Sequence, residues 1–447
     1  MPRMADLIPT HPTFRQALRY WLWLGLVSFG GPAGQIALMH RELVEKRRWI
    51  GETHFLHALN FCMLLPGPEA QQLATYLGWR LHGWRGGVAA GVLFVLPSAF
   101  LLYALSWLYI QGGTVPWIAA IFYGLLPAVI AIVLSALLRI GRRALKTPAL
   151  WMLAVGSFVA IYFFHVSFVL ILLVAALAGW LGFRLLPRFF PAGPEPHSAE
   201  GQDPEGPVLA LTPPPRATWR RAAGLIVWCS VLWWAPVLAA GVCQGWKSTL
   251  FAQGLFFSQA AMVTFGGAYA VLPYVAQQAV ERLAWLSHAQ MMAGLALAET
   301  TPGPLIMVLQ FVGFVGGWQH PGTLAPWVAA TLGAALTTWV TFVPCFLFVF
   351  LGAPHVEQLR TRPALGAAMT GITAAVVGVI LNLGVWFAWH ALWPQGWQPG
   401  ATLGGLEGFV ALFAVGAFVA LERGKVGMMP VIGACAVAGV LWRALGG

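Results

Sequence analysis

Two short stretches hold most of the polar chemistry of an otherwise apolar chain. "LLPGPEAQQLATYLGWRLHGWRGG" (64–87) places Glu69, Gln71 and Gln72 directly after a Pro66-Gly67-Pro68 break, with Arg80 three turns further on. "LALAETTPGPLIMVLQF" (295–311) places Glu299, Thr300 and Thr301 directly before Pro302-Gly303-Pro304, with Gln310 beyond it. Ionisable side chains inside long apolar segments are candidates for handling a substrate or a proton. Glu69 falls in the first turn of a helix, where an acid also simply complements the helix dipole. Glu299 falls at a helix C-terminal end, where a carboxylate is disfavoured, and is the preferred proton carrier. Gln35, Gln71, Gln72 and Thr301 can donate hydrogen bonds to oxyanion oxygens, whereas Asn60 and Asn382 are read as satisfying neighbouring backbone.

A second pair of breaks accompanies the first. Residues 27–40 read "VSFGGPAGQIALMH" and residues 263–276 read "VTFGGAYAVLPYVA". Inside a helix Gly costs about 1 kcal/mol and Pro about 3 kcal/mol relative to Ala, so a matched pair of such interruptions calls for a purpose. Each break frees backbone N–H groups at the start of a half-helix, and those groups together with the helix dipole form an anion site. Irregular backbone at membrane depth survives only buried in protein or lining a watery cavity. Gly30, Gly31, Gly67, Gly266, Gly267 and Gly303 are therefore expected to build a substrate cradle near the midplane. The competing reading is close helix packing through small residues. Arg80, with Arg47, Arg48 and Arg85 near the mouth, is the side-chain complement expected for an anion, since Arg matches an oxyanion bidentately. All four also fit as topology determinants at the membrane surface.

These residues must be held by membrane helices. The chain has 447 residues, 59% hydrophobic and 9% charged, against about 25% charged in a soluble domain. Apolar runs recur at 88–110, 117–138, 149–164, 166–183, 223–243, 327–352, 364–390, 409–421 and 426–442, several reaching the roughly 20 residues a spanning helix needs. The fold class is all-α, a polytopic helical membrane protein. The net charge of +11 belongs in cytoplasmic loops and not in a nucleic-acid-binding patch. The N-terminus lacks the pattern of a cleaved signal peptide, so the first membrane helix serves as the targeting signal.

The chain is duplicated. Phe29-Gly30-Gly31 matches Phe265-Gly266-Gly267 and Pro66-Gly67-Pro68 matches Pro302-Gly303-Pro304, both at an offset of 236 (302 − 66). Trp49 with Trp285 and Val44-Glu45 with Val280-Glu281 keep it, and Leu96-Pro97 pairs with Val343-Pro344 at 247 (344 − 97). The Pro/Gly-rich stretch 187–219 reads as a flexible linker. It divides an N-terminal repeat (1–186) from a connecting helix (220–246) and a C-terminal repeat (247–447). Basic clusters at 80/85, 139–146, 184–188, 216–221, 282, 360/362 and 423/425 alternate with segments nearly free of them. Counting each broken segment as a crossing gives six helices per half and about 13 in all. Matching points are then an odd number of crossings apart and the second half is inverted, the plan of many secondary transporters. One stretch resists: "RELVEKRRW" (41–49) would fall outside despite its four basic residues. If the broken segments are re-entrant instead, the halves are expected to be parallel.

No other chemistry is legible. Cys62, Cys229, Cys243, Cys345 and Cys435 lie in apolar runs without a CxxC pair and read as small buried hydrophobes. The histidines show no metal spacing, and there is no catalytic triad, P-loop or dinucleotide motif. No catalytic residue, metal or cofactor is expected. The 23 Trp read as interface anchors.

The pattern "FGGPAGQIALMH…EKRRWI" followed by "LLPGPEAQQLATYLGWRLHGWRGG", with "FGGAYAVLPYV" and "ETTPGP" in the second half, resembles the chromate ion transporter family, specifically its long two-domain members. The resemblance covers nearly the whole chain apart from the linker. It departs where the second half has Gly267-Ala268 for Gly31-Pro32 and Ala284 for Arg48. It implies a multi-pass protein of the cytoplasmic (inner) membrane, not an enzyme, that expels chromate at the expense of the proton motive force and confers chromate resistance. Its partners would be chromate or the competing oxyanion sulfate, the lipid bilayer and possible homodimer contacts, with no nucleic acid. Sulfate or another tetrahedral oxyanion is the alternative cargo.

Overall fold

The computed structural model of the protein describes residues 11–112, 115–190, 218–355, 363–399 and 402–446. Most of the expected linker (191–217) and Arg360 and Arg362 lie outside the described residues. Within them all regular structure is helical. The first repeat runs α1 (Phe14–Val27), α2 (Gly31–His40) continuing into a π turn (Arg41–Lys46), α3 (Glu52–Leu64), α4 (Glu69–Gly112), α5 (Pro116–Ala144), α6 (Pro148–Phe164) and α7 (Phe168–Leu185). A single helix follows, α8 (Trp219–Gln244). The second repeat runs α9 (Thr249–Met262), α10 (Ala268–Ala276) with its π turn (Gln277–Arg282), α11 (His288–Thr300), α12 (Val308–Gln319), α13 (Pro326–Gly352), α14 (Pro363–Leu392), α15 (Gly408–Glu422) and α16 (Met428–Ala444). Local sequence sets the starts. Thr13 with Gln16 and Ser287 with Gln290 form capping boxes on α1 and α11. Pro116, Pro148 and Pro326 occupy first-turn positions, where a missing N–H costs nothing.

The duplication is visible in these boundaries. α3 and α11 start 236 positions apart (288 − 52), α5 and α14 start 247 apart (363 − 116), and α6/α15 and α7/α16 both start 260 apart (408 − 148 and 428 − 168). Both repeats also place a non-glycine residue in left-handed backbone after the π turn, Arg48 (φ 53°) and Ala284 (φ 49°). The shape of that turn, more than the Arg48 side chain, is what the halves share.

α4 is two helices folded against each other. His82 (φ −136°) and Gly83 (φ 61°, ψ −156°) leave helical geometry. Beyond them the chain returns, so that a Cβ on Gly78 would lie 2.5 Å from both the Gly86 carbonyl and Ala90 Cβ. Small residues on both arms permit that approach. α12 and α13 form the equivalent hairpin with a full loop, and the 11 extra residues fall there, as the offsets required.

The broken segments also turn back. Trp49, past the end of α2, stacks edge-on against Tyr20 in the middle of α1 at 5.6 Å, and Arg47 lies over both rings at 5.1 Å. Phe61 of α3 meets Tyr76 of α4 at 5.5 Å across the Pro-Gly-Pro break. His82, at the α4 turn, donates to the Pro12 carbonyl at 2.9 Å, next to the start of α1. The second repeat copies this, with Phe256 of α9 against Trp285 at 5.7 Å. Each of the four broken segments thus folds as a helical hairpin with the break at or near its tip. If these hairpins return to the face they left, residues 41–49 share a side with Arg80 and Arg85 and the charge anomaly of that stretch disappears. Were both broken segments of each half re-entrant, each half would lose two crossings, an even change, so the expectation that re-entry makes the halves parallel does not follow.

Around the hairpins, α5 and α14 pack together, each flanked by two further helices. Gly124 of α5 abuts Gly439 and the Cys435 carbonyl of α16, and Gly371 of α14 abuts Gly179 and the Ala175 carbonyl of α7 in the same way. Glu422 accepts from Ser135 at 2.7 Å and Arg142 at 3.3 Å, and Glu407 accepts from Tyr123 at 2.9 Å, fixing α15 to α5 at both ends. The outer faces stay apolar, with Phe100, Val242 and Leu412 about 70% exposed, as lipid contact requires. Among the described residues six helices are long and apolar enough to cross a membrane, and the chain is a polytopic helical membrane protein.

Candidate functional site

The four hairpin tips interlock by a reciprocal pair of hydrogen bonds. Gly67 N–H donates to the Thr264 carbonyl at 2.7 Å and Gly303 N–H donates to the Ser28 carbonyl at 2.8 Å. Each Pro-Gly-Pro tip therefore holds the Phe-Gly-Gly break of the other repeat. Partners that exchange roles in this way are related by a two-fold operation, as at an isologous interface. Side chains obey it too: Ser98 lies against Gly303, and Cys345, 247 positions later, lies against Gly67. Both glycines have positive φ (126° and 106°) and no room for a Cβ. On Gly67 it would fall 2.7 Å from Gln72 Nε2 and 2.8 Å from Cys345 Sγ.

Beside this knot opens a cavity of about 900 Å³, large enough to be a vestibule. Its floor holds Gly30 and Gly31 at the N-terminus of α2, Gly266, Gly267 and Ala268 at the N-terminus of α10, Glu69 at the start of α4, and Tyr269. One wall is the end of α5 with Arg139 and Arg143, another is the apolar face of α3, and His40, Arg41 and Glu45 line the rim. A Cβ on Gly30, Gly31 or Gly266 would meet nothing within 4 Å. A Cβ on Gly267 would lie 4.0 Å from Glu69 Oε1, so this carboxylate faces the opening of α10. Two half-helix ends supply about half a charge each. The lining arginines Arg41, Arg139 and Arg143 set against Glu45 and Glu69 add one more, so the lining carries about +2 and offsets the charge of a tetrahedral dianion.

The expected site residues divide. Gly30, Gly31, Gly266, Gly267 and Glu69 line the cavity. Gln35, Gly67, Gln71, Gln72, Thr301 and Gly303 lie outside its lining, in the knot and its supports. Gln35 is fully buried and donates to the carbonyls of Gly303 (2.6 Å) and Ser28 (3.3 Å), clamping the two tips. Gln72 donates to the Pro66 carbonyl at 2.7 Å, Gln71 to Thr75 at 3.1 Å and Thr301 to the Ala298 carbonyl at 3.1 Å. Glu299 sits behind the cavity wall, accepting a hydrogen bond from Tyr269. Arg47 reaches Glu42 at 3.6 Å as well as its two rings, Arg85 lies over Trp84 at 5.5 Å, and neither they nor Arg48 or Arg80 line the cavity. The arginines that do are Arg139 and Arg143, from a cluster that the sequence reading assigns to topology, and Arg41, from the stretch that resists that assignment. A signal for two of them was present in the sequence: at the 247 offset Arg139 and Arg143 are matched by Trp386 and His390, so the halves differ there in charge.

A family model described as chromate transporter matches residues 15–180 and 251–440, one stretch in each repeat. The chromate transport protein of Pseudomonas aeruginosa is 33% identical over 98% of this chain and 94% of its own length. That of Cupriavidus metallidurans is 31% identical over 84% of this chain and 83% of its own. A probable chromate transport protein of Synechococcus elongatus is 30% identical over 84% and 85%. No solved structure matches. With both repeats matched by one family model and a 33% identical relative aligned almost end to end, the chain belongs to the chromate transporter family.

Proposed function

We propose that this chain moves chromate out of the cell across the cytoplasmic membrane by alternating access, with sulfate as the competing tetrahedral dianion. The observation that carries the reading is the convergence of two half-helix N-termini, at Gly31 and Ala268, with Arg139 in one cavity. The choice of chromate rests on what the relatives are named to transport. The domain division follows the helices: repeats over 1–186 and 247–447, joined by the linker and a connecting helix over 220–246. Nine long or apolar helices cross (the second arm of α4, α5 to α8 and α13 to α16), and the four hairpins are re-entrant. Five crossings then separate matching points, an odd number, so the repeats are inverted. The vestibule opens on the side that carries the basic loops, which is the cytoplasmic side.

Glu69 is the coupling residue we favour over Glu299, because Glu69 faces the anion position and Glu299 is held by Tyr269. At about 4 Å a unit charge repels another by roughly 4 kcal/mol at an effective dielectric of 20. An ionised Glu69 would therefore oppose a dianion strongly, and a proton on it removes the repulsion. One proton and one dianion together carry one net negative charge. An interior-negative potential drives that charge outward by about 2.3 kcal/mol per 100 mV, so export draws on the electrical part of the proton motive force.

Flux of radiolabelled chromate into energised everted vesicles tests this. Collapse by valinomycin with potassium, stimulation by nigericin, because the accompanying proton moves against the pH gradient, and competition by sulfate are expected. Chromate uptake equal to that of vesicles lacking the protein would refute the reading.

A further inference from the structure

The two-fold relation between the repeats says what should stand on the opposite side of the molecule, and the structure differs there in a specific way. At the vestibule Arg139, Arg143, Leu38 and Met428 line open space. Their equivalents by the helix offsets are Trp386, His390, Tyr274 and Phe168. Those four are closed up. His390 stacks on His288, the counterpart of Glu52, with ring centroids 3.7 Å apart and planes 13° apart. Trp386 lies against His288 at 4.7 Å and His390 at 4.9 Å. Its indole N–H donates to Glu281, the counterpart of Glu45, at 2.8 Å. Tyr274 stacks on Phe168 at 5.6 Å. So four residues that surround a cavity on one side correspond to four aromatic residues that fill the symmetry-related place, each set drawing on both repeats.

We propose that Trp386, His288 and His390, backed by the Tyr274–Phe168 stack, form the closed outer gate of the transport cycle. The repeats exchange these two arrangements as the protein turns outward. The stack then parts, and Leu38, Met428, Arg139 and Arg143 close over the inner side. Shape and charge both fit. Flat rings seal without burying unpaired polar groups, since the Trp386 indole is satisfied by Glu281 and His390 Nδ1 by the Trp386 carbonyl at 2.9 Å. The outer passage also lacks the counterparts of the two vestibule arginines, so a departing anion meets less attraction there than on the cytoplasmic side.

The inference rests on the alternating-access reading but not on the identity of the cargo, and its test separates the two. Ala276 is buried and is the counterpart of the vestibule residue His40, whose partner Glu52 is the counterpart of His288. The thiol of Ala276→Cys, in a Cys243→Ser background that removes the exposed native thiol, is probed in intact cells with a membrane-impermeant maleimide. Slow labelling is expected with the gate intact, and labelling at least fivefold faster when Trp386→Ala is added. Trp386→Phe, which keeps a ring in the stack, should label nearly as slowly as the parent. Should Trp386→Ala fail to accumulate in the membrane, His288→Ala opens the same stack and takes its place. Labelling at the parent rate in the Ala variant that accumulates overturns the gate. Accelerated labelling in a protein that carries neither chromate nor sulfate would leave the gate standing and reject the substrate.

Discussion

Gly67 donates its backbone N–H to the Thr264 carbonyl at 2.7 Å, and this bond ties the tip of one repeat to the break of the other. The bond contributes only about 1 kcal/mol. Its value is positional, because with its twin from Gly303 to Ser28 it fixes where the freed N-termini of α2 and α10 point. The glycines of the four breaks thus have two different jobs, and substitution should tell them apart.

Gly67→Ala forces left-handed backbone on a side chain, at about 1–2 kcal/mol, and drives a methyl group into Gln72 and Cys345, at a further 1–3 kcal/mol. It should lower the thermal midpoint of the purified protein by several degrees and reduce its yield. Gly31→Ala carries the backbone strain without any collision. That variant should stay folded and lose chromate flux, since its methyl group stands where the ion approaches. A Gly67→Ala protein as stable as the parent would deny the interlock.

Glu69→Gln keeps the size of the side chain and removes its charge. If Glu69 takes up the proton, the parent should absorb about one proton per dianion bound, measured as buffer-dependent heat in titration calorimetry with sulfate. The variant should absorb none, and its flux should vary less with pH. Glu299→Gln is expected instead to weaken the hydrogen bond from Tyr269 and act on stability. Equal proton uptake by parent and Glu69→Gln would remove Glu69 from the coupling role.

Arg139→Lys retains a positive charge but not a planar fork. We expect its half-saturating chromate concentration to rise about tenfold, a loss of roughly 1.4 kcal/mol, at matched protein levels. Arg80→Lys, outside the cavity lining, should leave the kinetics within twofold. The reverse outcome would move the site to the α4 turn.

Topology can be read with reporters and thiols. Fusions at 112, 320 and 395 should report outside and a fusion at 200 inside. Arg48→Cys should react with impermeant maleimide only from the cytoplasmic face, because the first hairpin returns to the side it left. Labelling of that thiol from outside would restore the plan with about 13 crossings.

By itself the sequence determined the class, the duplication and the position of the four Gly-Gly and Pro-Gly-Pro breaks, though not the fold-back at His82-Gly83. These depend on composition and local propensity: an apolar chain must span, two matched sets of Gly and Pro must interrupt helices, and offsets of 236 and 247 survive in any fold. It did not determine direction after a break. Gly30-Gly31 permits a chain to continue or to return, and the choice fell to contacts between distant residues, such as Trp49 on Tyr20 and His82 on Pro12. It did not assign the polar side chains either. Gln35 is chemically as able to bind an oxyanion as to clamp two carbonyls, and only the approach of the Gly303 tip decides for the clamp. Arg139 and Arg143 look like surface charges at the end of a long helix. Tertiary packing turns α5 so that they face the freed N–H groups of α2 and α10, because α14 and α16 occupy its other sides.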